Sequence, residues 1–238
     1  MVVRGLRKSA EFPESAAEAD PRRGGDRGDR EGGVPSTAEA LFTVVGLEPS
    51  GPVLFGEPVP EQQPGVYIVA HTGDPRAAAP EAGYEPEFAV AEIRTWLDTV
   101  PSMMLEGVHP TPDDVCAHLR EFWLPDEPVL YIGQTGSGLR KRLRQYYRTP
   151  LGMAKPHAGG YWLKTLTDYG CTFVFWAATP HSDPERVEEQ MLAAFVRGVD
   201  TDSRRLLRDP KRPFPFANLE HPRGNVKRHG ITCPHLRG

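Results

Sequence analysis

Cysteine is scarce in this sequence, which holds only three, Cys116, Cys171 and Cys233, among 238 residues. Because the number is odd and the spacing is wide, these residues do not predict a disulfide framework. The sequence also lacks an apolar run long enough to span a bilayer, and no charged segment is followed by an apolar leader. We therefore expect a cytoplasmic protein that has no membrane partner.

A large excess of charge of one sign is missing as well, since 28 basic and 32 acidic side chains give a formal net charge of -4. The molecule as a whole therefore does not predict a polyanionic partner. The charges are unevenly distributed, however. Residues 70–128 hold twelve acids and three arginines, whereas residues 138–148 hold five basic side chains and no acid. A second basic stretch begins near residue 203, so any nucleic-acid surface should lie on these two segments.

Proline and glycine are abundant, with 25 and 24 residues, and they predict long loops and tails. Residues 1–40 are predicted to form a disordered N-terminal tail, because most of this segment mixes opposite charges with almost no apolar side chains. The short apolar runs at 41–45 and 53–55 predict an edge strand or a loosely packed lead-in.

Residues 41–238 predict one α/β domain with a small central sheet of mixed or antiparallel strands, flanked by helices. The predicted strands cover 65–70, 128–133 and 172–178. The predicted helices cover 87–100, 111–122, 139–147, 161–166 and 185–196. We expect residues 74–126, approximately, to form an acidic helical insert that stands off between the first two strands, and residues 203–238 to form a basic C-terminal segment.

Two tripeptides and a basic helix form the most specific pattern in the sequence. The tripeptides are Gly65-Val66-Tyr67 and Tyr131-Ile132-Gly133, and the second leads into Thr-Gly-x-Gly-Leu-x-x-Arg-Leu with an aromatic pair, Tyr146 and Tyr147, behind it. This pattern resembles the GIY-YIG endonuclease family, and especially its excision-repair members. The resemblance implies a metal-dependent endonuclease that hydrolyses phosphodiester bonds in DNA, with DNA repair as a role to expect.

The resemblance also implies which residues carry the chemistry. The catalytic residues would be Tyr67, Tyr131, Arg142, Tyr146, Glu188 and Asn218. Glu188 would bind Mg²⁺ or Mn²⁺, because large apolar residues follow it at three and four positions, as in the family. Glu189 remains the alternative metal ligand.

The residue types suit phosphodiester hydrolysis. The Arg142 guanidinium keeps its charge and can bind two phosphate oxygens at once. A single carboxylate such as Glu188 is sufficient for Mg²⁺, which keeps much of its water shell. Tyr67 is expected to act as the base, with Arg142 and the metal moving its pKa towards working pH. Tyr131 and Tyr146 would orient water and contact a phosphate oxygen, and Asn218 would hold the glutamate or a loop in place.

A second group of residues is predicted to contact nucleic acid without taking part in the reaction. Most of them lie on the basic helix or in the C-terminal segment, and Gln134 stands where some family members have a lysine. The predicted contacts are Gln134, Arg140, Lys141, Arg144, Arg148, His157, Lys227 and Arg228.

Three departures from the family pattern keep other functions open. A long insert separates Tyr67 from Tyr131, residues 199–214 lie between Glu188 and Asn218, and a lysine is replaced by Gln134. A catalytically inactive DNA-binding or repair adaptor is therefore the first alternative. The second is a protein-interaction module whose acidic insert is the working surface or covers the basic helix.

Overall fold

Strands and helices alternate along the chain, and a computed structural model describes residues 36–78, 84–153 and 159–232. The α-helices are α1 Ala38–Val44, α2 Val90–Thr99, α3 Pro112–Arg120, α4 Leu139–Arg148, α5 Pro184–Gly198 and α6 Thr201–Leu206. The strands are β1 Ser50–Leu54, β2 Gly65–Ala70, β3 Met104–Leu105, β4 Val129–Thr135, β5 Phe173–Ala178 and β6 Ile231–Thr232. Two 3₁₀ helices cover Tyr161–Thr165 and Tyr169–Cys171.

Four of the strands form an antiparallel sheet in the order β1-β5-β2-β4. Tyr67 on the inner strand β2 lies opposite Gly133 on β4 and opposite Trp176 on β5. The strands β3 and β6 pair separately as a two-stranded ribbon. The prediction of a small sheet flanked by helices is confirmed, and its strands are antiparallel.

The sheet buries side chains on both faces. One face, called the α5 face here, joins Val66 and Ile68 to α1 and α5 through Phe42, Met191 and Phe195. The opposite face, called the α4 face, packs against α2, α3, α4 and the first 3₁₀ helix. Because successive residues of a strand point to opposite sides, Tyr67 lies on the α4 face between Val66 and Ile68.

Local sequence explains where the helices begin. Thr111 accepts a hydrogen bond from the Asp114 N–H, and the Asp114 carboxylate accepts one from the Thr111 N–H, which is a complete capping box for α3. Asp183 caps α5, whose first residue is Pro184. The helix α4 begins after Gly138, whose φ of 114° is accessible to glycine and strained for other residues.

The lead-in before β1 differs from the prediction. Residues 41–45, expected to be a strand or a loose segment, belong mostly to α1, in which Leu41 and Phe42 are buried against α5. Thr37 caps this helix by accepting a hydrogen bond from Ala40, so regular structure starts inside the range predicted as a tail. Residues 1–35 of the predicted tail lie outside the described residues. The edge strand is β1, which includes part of the second apolar run.

The acidic insert is helical, as predicted, but it does not stand off from the domain. Ile93 and Trp96 of α2 and Val115 and Leu119 of α3 are buried in the same cluster as Tyr67 on the α4 face. Apolar side chains spaced for one helix face outweigh the acidic composition, because the acids occupy the solvent side. The helices α2 and α3 of the insert are therefore part of the core.

None of the helices within residues 36–78, 84–153 and 159–232 is both long enough and apolar enough to cross a membrane.

Candidate active site

Three tyrosines from three different elements meet on the α4 face of the sheet. Tyr67 comes from β2, Tyr131 from β4 and Tyr146 from α4. The ring centroids lie 5.9 Å apart for Tyr67 and Tyr131, 5.5 Å for Tyr131 and Tyr146, and 6.5 Å for Tyr67 and Tyr146. The rings are tilted against one another, an arrangement that aromatic pairs favour. The sequence predicted this group although a long insert separates two of its members.

Glycine is required where these rings pass the backbone. A Cβ added to Gly133 would lie 2.6 Å from Tyr67 Cζ and 2.7 Å from both Tyr67 Oη and Tyr131 Cε1. A Cβ on Gly65 would lie 2.2 Å from the carbonyl oxygen of Ala177. Gly133 therefore leaves space for the two tyrosine rings, whereas Gly65 leaves space for the backbone of β5 and for Leu139.

Gly160 closes the other side of the group. Its carbonyl accepts a hydrogen bond from Tyr146 Oη at 2.5 Å, and its φ of 67° lies in the left-handed region. A Cβ there would lie 2.5 Å from Tyr146 Oη and 3.0 Å from Tyr131 Cε2. Sequence reasoning missed this residue, although the pair Gly159-Gly160 beside the aromatic Tyr161 was a signal for a close approach.

Lys164 also supports the site and was not predicted. Its side chain is buried, and its ammonium donates to the carbonyls of Tyr146 at 2.8 Å, Tyr147 at 3.2 Å and Thr149. These bonds satisfy the free carbonyls at the end of α4 and fix the turn that carries Tyr146. A lysine within the apolar run Tyr-Trp-Leu-Lys-Thr-Leu was the available signal.

Tyr67 carries a buried hydroxyl whose pKa is well above its usual value. Burial is the main cause, Glu188 adds to it, and the positive charge of Arg142 opposes it. Arg142 lowers this pKa, as expected, but burial outweighs its charge. The further lowering expected from a bound metal stays a prediction. Neither Tyr67 Oη nor Arg142 Nε has a partner within hydrogen-bonding geometry among the described residues.

Glu188 lies half-buried on α5, whereas Glu189 is exposed. Burial raises the pKa of Glu188 to about 7, Arg142 lowers it, and the neighbouring Glu185 and Glu189 raise it further. Glu188 also contributes to the pKa values of Tyr67 and Tyr131, so its carboxylate lies within electrostatic reach of both hydroxyls. Arg142 and Glu188 were predicted from distant parts of the sequence, and their charges act on each other.

The chemistry around Glu188 fits a hard divalent cation. The carboxylate lines an open pocket of about 220 Å³ that also receives Glu185, Glu189, Glu220 and His221. Within the described ranges no three histidine, cysteine, aspartate or glutamate side chains are arranged to hold an ion together. One carboxylate with water and substrate phosphate would therefore have to complete the shell, which is how Mg²⁺ is commonly bound.

Asn218 does not hold the glutamate or a loop. Its side chain is buried at the outer edge of β4, where Oδ1 accepts from the Ile132 N–H at 2.9 Å and the amide donates to the Ile132 carbonyl at 2.8 Å. The backbone N–H of Ala217 donates a hydrogen bond to the Leu130 carbonyl of the same strand. Asn218 thus fixes the strand that carries Tyr131, and it acts on the site through the backbone.

Most of the predicted nucleic-acid contacts are exposed side chains. Arg140, Lys141, Arg144 and Arg148 are exposed on α4, and Arg228 is exposed near the C-terminus. Gln134 is half-buried at the end of β4, and His157 lies outside the described residues.

The prediction that Lys227 contacts nucleic acid is wrong. It is 2% exposed, and its ammonium donates to the carbonyls of Pro215 and Phe216 at 3.2 and 3.1 Å. Burial lowers its pKa to about 7. Lys227 is directed into the core, so it cannot reach a phosphate in this structure.

The basic C-terminal segment is partly neutralised within the protein. Arg205 pairs with Asp202, Arg212 pairs with Asp209, and Arg208 pairs with Glu106 and Glu121. Comparison of the chain with family models, with curated proteins and with solved structures found no match. A functional proposal therefore rests on the arrangement of the tyrosines, Arg142 and Glu188.

Proposed function

We propose that this protein is a metal-dependent endonuclease of the GIY-YIG type, which hydrolyses phosphodiester bonds in DNA. The observation that carries the proposal is the pair formed by Tyr67 Oη and Arg142 Nε. Both atoms are buried and make no hydrogen bond of good geometry with a described residue, although the Tyr67 hydroxyl lies close to the Tyr131 and Arg142 side chains. Glu188 raises the pKa of Tyr67, and Arg142 lowers the pKa of Glu188, so the three residues act on one another. Buried polar atoms without partners are uncommon in folded proteins, and a ligand that binds there would explain them.

Arg142 is the phosphate-binding group in this proposal. Its guanidinium keeps a positive charge and offers several N–H donors in one plane, so it can bind two non-bridging oxygens and stabilise the charge that builds up on them. The exposed arginines of α4 would hold the neighbouring phosphates of the same strand. Glu188 is the ligand for Mg²⁺ or Mn²⁺, and the bound ion would stabilise the leaving oxygen and increase the local positive field.

Tyr67 orients the attacking water, because its hydroxyl makes no hydrogen bond of good geometry with the described residues and can accept or donate one. Proton transfer from this water to Tyr67 needs a stronger positive field than Arg142 supplies alone, since burial raises the pKa of Tyr67. Tyr131 lies beside Tyr67 and helps to position the same water. Tyr146 donates to the Gly160 carbonyl, so its main task is to keep the group in place.

One observation favours a non-catalytic DNA-binding adaptor as the second candidate. Tyr67 is 0% exposed, so a phosphate reaches its hydroxyl only after some rearrangement of the neighbouring side chains. An adaptor would keep the arginines of α4 for binding and would not need to open. The two candidates differ in whether a divalent metal has any effect on the DNA.

Nicking of supercoiled plasmid with Mg²⁺, Mn²⁺ or EDTA tests the proposal. We expect metal-dependent nicking that Arg142→Ala and Glu188→Gln each reduce by about a thousandfold, because each removes charge stabilisation in the transition state. Arg205→Ala and Glu48→Gln are the matched controls, since both positions are exposed and lie outside the proposed contacts. We expect these controls to stay within about threefold of the unmodified protein.

Plasmid retardation in the same samples separates the two candidates. Metal-independent binding without nicking would overturn the endonuclease proposal and support the adaptor. Nicking that survives both Arg142→Ala and Glu188→Gln would also overturn it, because the activity would then come from another site or from a contaminant.

A further inference from the structure

A second pocket lies beside the candidate active site, between α4 and the loop that connects β1 to β2. Its volume is about 380 Å³, which lies within the range of pockets that bind small molecules. None of the proposed catalytic residues lines it. The lining residues are Gly56, Pro58, Val59, Arg140, Arg144, Tyr147 and Arg148.

Three arginines give this pocket a positive rim. Arg140, Arg144 and Arg148 follow one another at intervals of four residues, so they stand in one row along α4. No carboxylate of the described residues lies within 4.0 Å of their guanidinium groups. The adjacent loop carries Glu57, whose carboxylate accepts a hydrogen bond from the Leu54 N–H at 3.2 Å. The rim therefore keeps positive charge for an anionic ligand.

The interior of the pocket is apolar and aromatic. Val59 is buried, and Tyr147 is held by Phe55, whose ring centroid lies 4.8 Å away at an interplanar angle of 67°. Gly56 has a φ of 106°, and a Cβ built there would meet no atom within 4 Å. A fixed aromatic ring, a proline and open space next to a cationic rim suit a flat, apolar group that is attached to an anion.

The pocket lies close to the proposed site. Tyr147 follows Tyr146 directly on α4, and the Tyr67 hydroxyl contributes to the raised pKa of Tyr147, with burial as the main cause. One strand of a substrate could therefore contact Arg142 with one phosphate and this pocket with a nearby nucleotide.

We infer that the pocket binds one unpaired nucleotide of the substrate, with the base against Tyr147 and Pro58 and the adjoining phosphates on the arginine rim. This inference takes its ligand class from the proposed function. In a duplex the bases are stacked inside, so a base reaches the pocket without the cost of unstacking and unpairing only where the strand is unpaired. The substrate class is then nucleic acid with a single-stranded segment beside the cleaved bond, such as a flap, gap or branch.

Fluorescence anisotropy in EDTA with three 12-residue probes tests the inference: oligo-dT, its abasic counterpart with the same phosphates, and a DNA duplex. We expect oligo-dT to bind at least about tenfold more tightly than the abasic strand, the ratio that stacking of a single base gives. Tyr147→Leu should bring this ratio close to one, Tyr147→Phe should keep it, and both should leave duplex affinity unchanged.

The arginine rim has its own matched pair. Arg144→Ala and Lys141→Ala each remove one exposed positive charge from α4, but only Arg144 lines the pocket. We expect Arg144→Ala to weaken oligo-dT binding several-fold more than Lys141→Ala does.

Equal affinity for oligo-dT and the abasic strand would overturn the inference, and so would a ratio that Tyr147→Leu leaves unchanged. Because binding is measured without metal, this result is independent of cleavage. If the ratio is preserved but the protein cuts nothing, the nucleotide pocket is supported and the endonuclease proposal is overturned. If the protein nicks DNA but the ratio is one, the endonuclease proposal is supported and the nucleotide pocket is overturned.

Discussion

The two faces of the four-stranded sheet bury different kinds of side chain. The α5 face consists of aliphatic side chains and phenylalanines, and Ile68, Met191 and Phe195 are fully enclosed there. The α4 face encloses tyrosine hydroxyls beside the Arg142 guanidinium, and several of its polar atoms have no partner within the described part of the chain. The side chains of the α5 face are explained by packing alone, whereas the α4 face also holds polar groups that packing does not require.

This difference indicates how stability and function are divided. Burial of apolar surface contributes about 25 cal/mol per Å², so the α5 face stabilises the fold without further requirements. A buried polar atom without a hydrogen-bond partner costs free energy instead. On the α4 face Tyr67 Oη and Arg142 Nε are such atoms, and the proposed explanation is that this site binds a phosphodiester.

The largest expected effect on stability is on the α5 face. Phe195→Ala should lower the free energy of unfolding by about 3–5 kcal/mol, the usual cost of removing a buried phenylalanine, while cleavage by the remaining folded protein stays unchanged. Leu206→Ala is the control, because Leu206 is 80% exposed and should change stability by less than about 0.5 kcal/mol. Urea denaturation measures both. A loss below about 1 kcal/mol for Phe195→Ala would contradict the assignment of stability to this face.

The edge of β4 should show the next effect. Asn218→Ala leaves the N–H and the carbonyl of Ile132 without partners in a buried position, so we expect a loss of about 2–3 kcal/mol. Hydrogen exchange at the Ile132 amide should be faster in Asn218→Ala than in the unmodified protein. Asn225→Ala removes hydrogen bonds from a half-buried position and should cost less. Equal losses for the two variants would count against a special role of Asn218 in holding β4.

Gly133→Ala tests the space between the tyrosines and should cost about 2 kcal/mol, because the new Cβ would overlap Tyr67 and Tyr131. Gly136→Ala is its control, since a Cβ there meets nothing within 4 Å. Thermal unfolding and tyrosine fluorescence report on both. If Gly133→Ala keeps the stability and fluorescence of the unmodified protein, the rings are less tightly placed than described.

The resemblance to a known motif pattern predicted the site, whereas composition and periodicity did not. It grouped Tyr67, Tyr131, Arg142 and Tyr146, and the three tyrosine rings lie together in the structure. The acidic insert was misjudged because composition does not show which face of a helix is buried. Ile93 and Trp96 carry that information only at helical spacing.

Residues that act through tertiary contacts were harder to predict. Lys227 resembles a surface lysine in a basic tail, yet backbone carbonyls and the rings of Phe122 and Trp162 surround its ammonium. Asn218 was selected by resemblance, but only the position of β4 shows what its amide bonds to. Such partners lie far away in sequence, so no local pattern encodes them.

The smallest expected effect is the pH dependence of stability. Burial raises the pKa of Glu188 from its ordinary value of 4.5 to about 7, so the folded protein binds more protons than the unfolded chain between these values. The contribution of Glu188 to stability should therefore fall as the pH rises through this window, by about 1–2 kcal/mol after allowance for solvent screening.

Glu188→Gln should remove only this contribution, because burial also raises the pKa of Glu127 to about 7 and that contribution stays. Thermal unfolding in EDTA between pH 4.5 and 8 compares the two proteins, and Mg²⁺ should stabilise only the protein that retains Glu188, at the upper end of the range. A pH profile shared by both proteins would mean that Glu188 is not the titrating group.

The central claim is that Tyr67, Arg142 and Glu188 act as one site, and single-turnover cleavage by single and double variants tests it most directly. Residues that act together lose their effects together, so Tyr67→Phe combined with Arg142→Ala should be about as slow as Arg142→Ala alone. The same holds for Arg142→Ala combined with Glu188→Gln. If instead the rate losses of the single variants multiply in the double variants, the residues act independently and the account of a single site is wrong.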